Sequence, residues 1–141
     1  MIKKIVFSIL LVMSVGSIHA QMKRVSVNGN FSSNVIEVFE MGAVDVDPAF
    51  PGGECEMINF INQTRCYPAD AHQSGIQGRV TCAFVVCPDG TIDYVEVMKS
   101  VHPSIDKEAR RIINRMPRWS AGVVNGKKVH VRCVVIIPFR L

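Results

Sequence analysis

Residues 79–97, RVTCAFVVCPDGTIDYVEV, decide how this chain is read. Val80, Cys82, Phe84 and Val86 alternate with Arg79, Thr81, Ala83 and Val85, the period-two pattern of a strand with one buried face. Pro88-Asp89-Gly90 is a turn with a physical cause: proline presets φ, aspartate bonds locally, and glycine takes the left-handed position. Ile92, Tyr94, Val95 and Val97 form the returning strand, so the stretch is a hairpin.

Toward the C-terminus, Ser104 follows His102-Pro103 and reads as a helix N-cap. Ile105, Ala109, Ile112, Ile113 and Met116 recur at helical intervals, and Arg110, Arg111 and Arg115 take the other side. Pro117 ends that helix, and Trp119 reads as a core residue packed against the sheet. Asn125-Gly126 is a tight turn. Beyond it Val129, Val131, Cys133, Val135, Ile137 and Phe139 alternate with His130, Arg132 and Val134 in the longest strand. Toward the N-terminus, Pro51-Gly52-Gly53 opens a helix, with Glu54 and Glu56 where the helix dipole favours negative charge. Met57, Ile58 and Ile61 give it an apolar face, and it ends near Gln63, because Tyr67-Pro68 cannot continue it.

The order helix, strand, strand, helix, strand predicts an α+β two-layer sandwich. Its sheet has three strands, antiparallel or mixed, in the order second, first, last (2-1-3), with two helices on one face. The last strand then lies at an edge, and such an edge binds another protein's backbone by strand addition.

Met1-Ile2-Lys3-Lys4, the serine-dotted apolar run Ile5 to Ile18, and Ala20 before Gln21 have the layout of a secretory signal peptide. The run is shorter than the ~20 apolar residues that span a bilayer. The expected organisation is a signal peptide (or short anchor) over 1–20, a flexible lead-in over 21–49 with an apolar-alternating piece near Val35 to Phe39, and one folded domain over 50–141. Loss of Lys3 and Lys4 takes the formal charge from +4 to +2, too weak a balance to argue for nucleic acid. Residues 21–56 carry Lys23 and Arg24 against Glu37, Glu40, Asp45, Asp47, Glu54 and Glu56, while residues 57–141 are net basic. This is an acidic lead-in beside a mildly basic domain.

The cysteines are Cys55, Cys66, Cys82, Cys87 and Cys133. Disulfides are permitted in an exported chain, and the odd count leaves at least one thiol over. Cys82 and Cys133 fall on the buried faces of adjacent strands. A cross-strand disulfide and two small buried thiols are both open readings. A bridge from Cys55 to Cys66 would require the helix between them to end early. No cysteine or histidine spacing makes a metal site, and no glycine pattern follows a strand as phosphate binding requires. His72, His102 and His130 are scattered, with no base and orienting group beside a nucleophile. The chain therefore reads as a non-enzyme without a cofactor.

In order, Phe50-Pro51-Gly52-Gly53-Glu54, Tyr67-Pro68, Gly75-Ile76-Gln77-Gly78-Arg79-Val80, Phe84, Asp89-Gly90, Ile105-Asp106-Lys107-Glu108-Ala109, Met116-Pro117-Arg118-Trp119 and Asn125-Gly126-Lys127 resemble the TonB C-terminal domain family. The likeness covers about Phe50 to Leu141, and its Phe-Pro-Gly-Gly opening resembles versions common in Bacteroidetes-type bacteria. The resemblance implies a periplasmic domain that grips the N-terminal segment of a TonB-dependent outer-membrane receptor by strand addition along its last strand, in energy-coupled transport. On this chain that strand is Val129, His130, Val131, Arg132, Cys133, Val134, Val135, Ile136 and Ile137, with the Tyr67-Pro68 turn close by. Inner-membrane motor proteins are further implied partners. The family's transducers carry a long proline-rich spacer where this lead-in has only Pro48, and residues 21–49 reach at most ~100 Å. The expectation is a stand-alone gripping module. The competing expectation is a structural module in which the last strand pairs with its own copy as a homodimer.

Overall fold

The computed structural model describes residues 22–25 and 36–141. In chain order the elements are β1 (Met22–Val25), β2 (Ile36–Glu40), α1 (Glu54–Thr64), α2 (Ala69–Gln73), β3 (Gly78–Val86), β4 (Ile92–Lys99), α3 (Pro103–Asn114), β5 (Gly122–Val124) and β6 (Lys127–Phe139).

The hairpin forms as its alternation requires. β3 pairs antiparallel with β4, and the turn between them is closed by Gly90 N–H donating to Cys87 O at 2.8 Å. Asp89 Oδ1 accepts the Thr91 N–H at 3.0 Å, the local bond expected of an aspartate in this position. The turn is also anchored from outside: Trp119 N–H donates to Gly90 O at 2.9 Å. Gly90 has φ 85°, and a Cβ there would stand 2.2 Å from the Trp119 carbonyl oxygen. Asn125 and Gly126, at φ 50° and 75°, close the β5–β6 hairpin in the left-handed conformations such a tight turn needs.

The third helix is capped two residues earlier than the sequence suggests. His102, not Ser104, is its N-cap: Nδ1 accepts the Ser104 N–H at 3.3 Å, and Pro103 takes the first helical position, where no N–H is needed. Ile105, Ala109, Ile112 and Ile113 are buried on the inner face of the sheet with Val80, Cys82, Phe84, Val86, Val131, Cys133, Val135, Ile137 and Phe139. Trp119 is core, 8% exposed, with its ring edge-on to Phe50 and Phe84.

The α+β class holds, whereas the strand count and order differ from the sequence reading. The sheet has six strands in the order β1-β2-β6-β3-β4, with β5 pairing β6 as well. The run β4-β3-β6 lies inside it, but the last strand is not at the edge. β2 lies parallel to β6, with Val38, Phe39 and Glu40 in register with His130, Val131 and Arg132. A parallel neighbour arriving from so far upstream has no local signal, since only hairpins announce their partner. A third helix, α2, follows Pro68. Residues 36–49 belong to the fold: besides β2, Val46 and Ala49 form bridges with Val123 and Ser120. The expected signal peptide, residues 1–20, lies outside the described residues. Among those described, no helix is long and apolar enough to cross a membrane.

The Gly90 contact yields a stability prediction. Gly90→Ala combines a left-handed φ with a clash against backbone, so it should cost about 2–3 kcal/mol in urea unfolding. A loss within experimental error of zero would refute the anchoring role of this turn.

Candidate functional site

Alternate residues of β6 turn their backbone away from β3. The Arg132 carbonyl accepts Met41 N–H at 3.2 Å, and the Pro138 carbonyl accepts Arg65 Nη1 at 2.7 Å. The even-numbered positions therefore face outward. Between these two bonds, Val134 and Ile136 present their N–H and C=O groups with no partner among the described residues. Their side chains, 49% and 55% exposed, stand on the face away from the core, while Cys133, Val135 and Ile137 point inward.

The open edge is thus shorter than the predicted span Val129–Ile137. Val129 is paired with Gly122 of β5, and His130, Val131 and Arg132 lie beside β2. From His130 to Arg132 the chain covers the edge with β2, which satisfies backbone groups that would otherwise face solvent.

Beside the open edge is a groove of about 310 Å³. Met41, Phe50, Met57 and Trp119 give it an apolar lining with Glu54, and Cys133, Val134 and Val135 form the strand side. Trp119 Nε1 is buried there without a hydrogen-bond partner among the described residues. Met41 carried no signal in the sequence, because its place depends on β2 crossing to β6. Met57 was legible only as part of a helix face.

Tyr67 and Pro68 sit at the other end of this edge. The Tyr67 ring is edge-on to Phe139 with centroids 5.8 Å apart, and its hydroxyl donates to Ile76 O. Pro68 is the residue from which α2 starts. A buried carboxylate holds the approach to this turn. Glu108, 8% exposed, accepts the Cys66 N–H at 2.8 Å and Arg111 Nε at 2.7 Å, while Arg111 Nη2 donates to Thr64 O at 2.7 Å. Helical periodicity put Arg111 on the outer side of its helix, and this inward bond to the end of α1 escaped it. Burial pushes the Glu108 carboxyl up. The Arg111 and Cys66 hydrogen bonds and the charges of Arg111 and Arg115 outweigh it, leaving the group below its ordinary value.

Of the two open readings for Cys82 and Cys133, the geometry fits two small buried thiols. Cys82 stands opposite Val135 and Cys133 opposite Phe84, so the two thiols are offset by two residues along the ladder. Diagonal neighbours are ~7–8 Å apart, beyond ordinary disulfide reach. All five cysteines are free, and burial pushes the Cys82 thiol to about 11 and the Cys133 thiol to about 12. Cys55 lies in the first turn of α1 and Cys66 just beyond its end, both exposed. His72 packs edge-on to Tyr67 and His102 caps α3. Among the described residues, no cluster of three or more His, Cys, Asp or Glu could hold a metal ion.

Comparison with known proteins identifies the family. The family described as "Gram-negative bacterial TonB protein C-terminal" matches residues 63–141. The chain belongs to the TonB C-terminal domain family. No curated protein matches it. Among solved structures it is similar to the Pseudomonas aeruginosa TonB C-terminal domain, at 32% identity and a TM-score of 0.46, covering 55% of this chain and 78% of that one. It is also similar to a Helicobacter pylori TonB C-terminal domain, at 21% identity and a TM-score of 0.43, covering 58% and 88%. The family is one of non-catalytic interaction domains, and membership makes this a TonB-like domain of the periplasm or cell envelope.

Two predictions follow from the buried groups. Because the folded Glu108 pKa is lowered, its contribution is complete above the unfolded carboxylate range, ~4.3, and is lost as pH falls through the folded value. Glu108→Gln should cost about 1–3 kcal/mol at pH 7 and flatten the stability loss below that range, measured by urea unfolding at a series of pH values. For the cysteines, non-reduced denatured protein should take alkylating reagent on both Cys82 and Cys133. In the native state both should react far more slowly than Cys55.

Proposed function

We propose that this domain binds the N-terminal segment of a TonB-dependent outer-membrane receptor by strand addition at Val134–Ile136, in energy-coupled transport across the envelope. The observation that carries this reading is the pair Val134 and Ile136, whose outward backbone N–H and C=O groups have no partner among the described residues, between the stretch beside β2 and the Pro138 carbonyl bonded by Arg65. Main-chain bonds would supply affinity, and alternate side chains of the segment would meet the Met41, Phe50 and Met57 groove. The proposal extends to the domain limits, with residues 50–141 carrying the family fold and residues 1–20 acting as an export leader.

The test is isothermal titration of the full chain with peptides from the N-terminal segments of the organism's receptors. A binding peptide should be weakened about tenfold by Val134→Pro or Ile136→Pro. Each variant removes one outward donor, a loss of ~1.4 kcal/mol, and an edge position tolerates proline. Lys107→Ala, on the exposed side of α3, should leave binding unchanged. Failure of every receptor peptide to bind folded protein would remove the reading. Concentration-dependent dimerisation abolished by the same proline variants would instead support self-pairing through β6.

A further inference from the structure

We infer that β2 is a displaceable cover on the partner edge, so that the chain regulates its own strand-addition site. This rests on the reading that β6 receives a partner strand. Arg132 is the last position β2 occupies, and Val134 is the next outward position along the same edge. A partner strand longer than the open stretch must therefore take the place β2 holds.

The attachment of β2 is built to release. Its register with β6 spans Val38 to Glu40, whereas β3 pairs with β6 over its whole length. Val38, 3% exposed, is its one fully buried side chain, and it lies on the outer face of the sheet by Val85, outside the main core. Glu40 reaches Arg132 at 3.6 Å, but Arg132 also holds Glu96 at 3.2 Å, so departure of β2 leaves no stranded charge. The chain after Met41 stays fixed without β2: Gly42 N–H donates to Asp47 Oδ1 at 2.7 Å, and Val46 and Ala49 keep their bridges to Val123 and Ser120. Phe39, half-buried, is the β2 side chain that touches the main core, so release opens the edge at the cost of that one contact while the fully buried residues packed on α3 keep theirs. Closing it again costs a partner whatever fraction of molecules keeps β2 in place.

The experiment uses the full chain, a receptor peptide that binds it, and that peptide extended by four residues at either end. Val38→Asp puts a charge where β2 docks and should release it. The extended peptide should then bind the variant about tenfold more tightly than the wild type, while the short peptide binds both equally. Binding of the extended peptide to the wild type should also speed hydrogen exchange at the Met41 amide, and the short peptide should not. Equal or weaker affinity of the extended peptide for Val38→Asp, or unchanged Met41 exchange, would overturn the cover while leaving strand addition standing. Failure of all peptides to bind either folded form would overturn strand addition, and the cover with it.

Discussion

The β3–β6 ladder is the constraint on which the rest of the molecule depends. It runs from Gly78 opposite Phe139 to Val86 opposite Val131, and it buries one face of both strands against α3. Because an antiparallel ladder consumes the backbone of every second residue, the same pairing decides which groups of β6 remain for anything else. Odd-numbered positions from Val131 to Ile137 are spent on β3 and on the core. Even-numbered positions face away from both. The site is therefore a by-product of register. A slip of one residue would exchange the buried and exposed sets and turn the available N–H groups inward.

That dependence explains what could be read from the sequence. The β3–β4 hairpin, α3 and the long last strand are local patterns, fixed by alternation, by helical spacing and by turn residues such as Asp89-Gly90 and Asn125-Gly126. The adjacency of β4, β3 and β6 followed from the crossover through α3. β2 was visible as a short alternating piece, but nothing in Ile36–Glu40 says that it lies parallel to β6. Without β2 the last strand looks like an open edge throughout. The parity of the edge was equally hidden: Val131 and Cys133 belong to the expected gripping strand, yet their donors face β3. The Glu108–Arg111 pair was missed for a related reason. Periodicity says which way a residue points on its helix, not that the end of α1 will be close enough to need its charge.

Each end of the open stretch is fixed by a different device. At one end, Met41 spends its N–H on Arg132 as the chain leaves β2. At the other, Arg65 bonds the Pro138 carbonyl and lies over the Phe139 ring. Arg65 is the residue at which α1 stops, and its place is set by the same bonds from Arg111 to Thr64 and from Cys66 to Glu108 that hold the approach to the Tyr67-Pro68 turn. The buried ion pair therefore acts on the site through chain position. Proline at 138 has no N–H to offer, so beyond Ile136 the edge could supply no further outward donor even if Arg65 moved aside.

An apolar strand with a free edge is an aggregation hazard, and proteins usually shorten or block such edges. Val134 and Ile136 carry exposed β-branched side chains and backbone with no outward partner among the described residues, which is the hazardous combination. Restricting the gap to two outward residues limits the harm, because pairing this short is marginal without side-chain contacts to support it. The same restriction selects a partner. A random extended segment gains a few main-chain bonds and little else. One whose alternate side chains also fill the Met41, Phe50 and Met57 groove gains apolar burial beside those bonds. Selectivity would then come from the groove and from the work of displacing β2, while the backbone of Val134 and Ile136 supplies only the place and direction of docking.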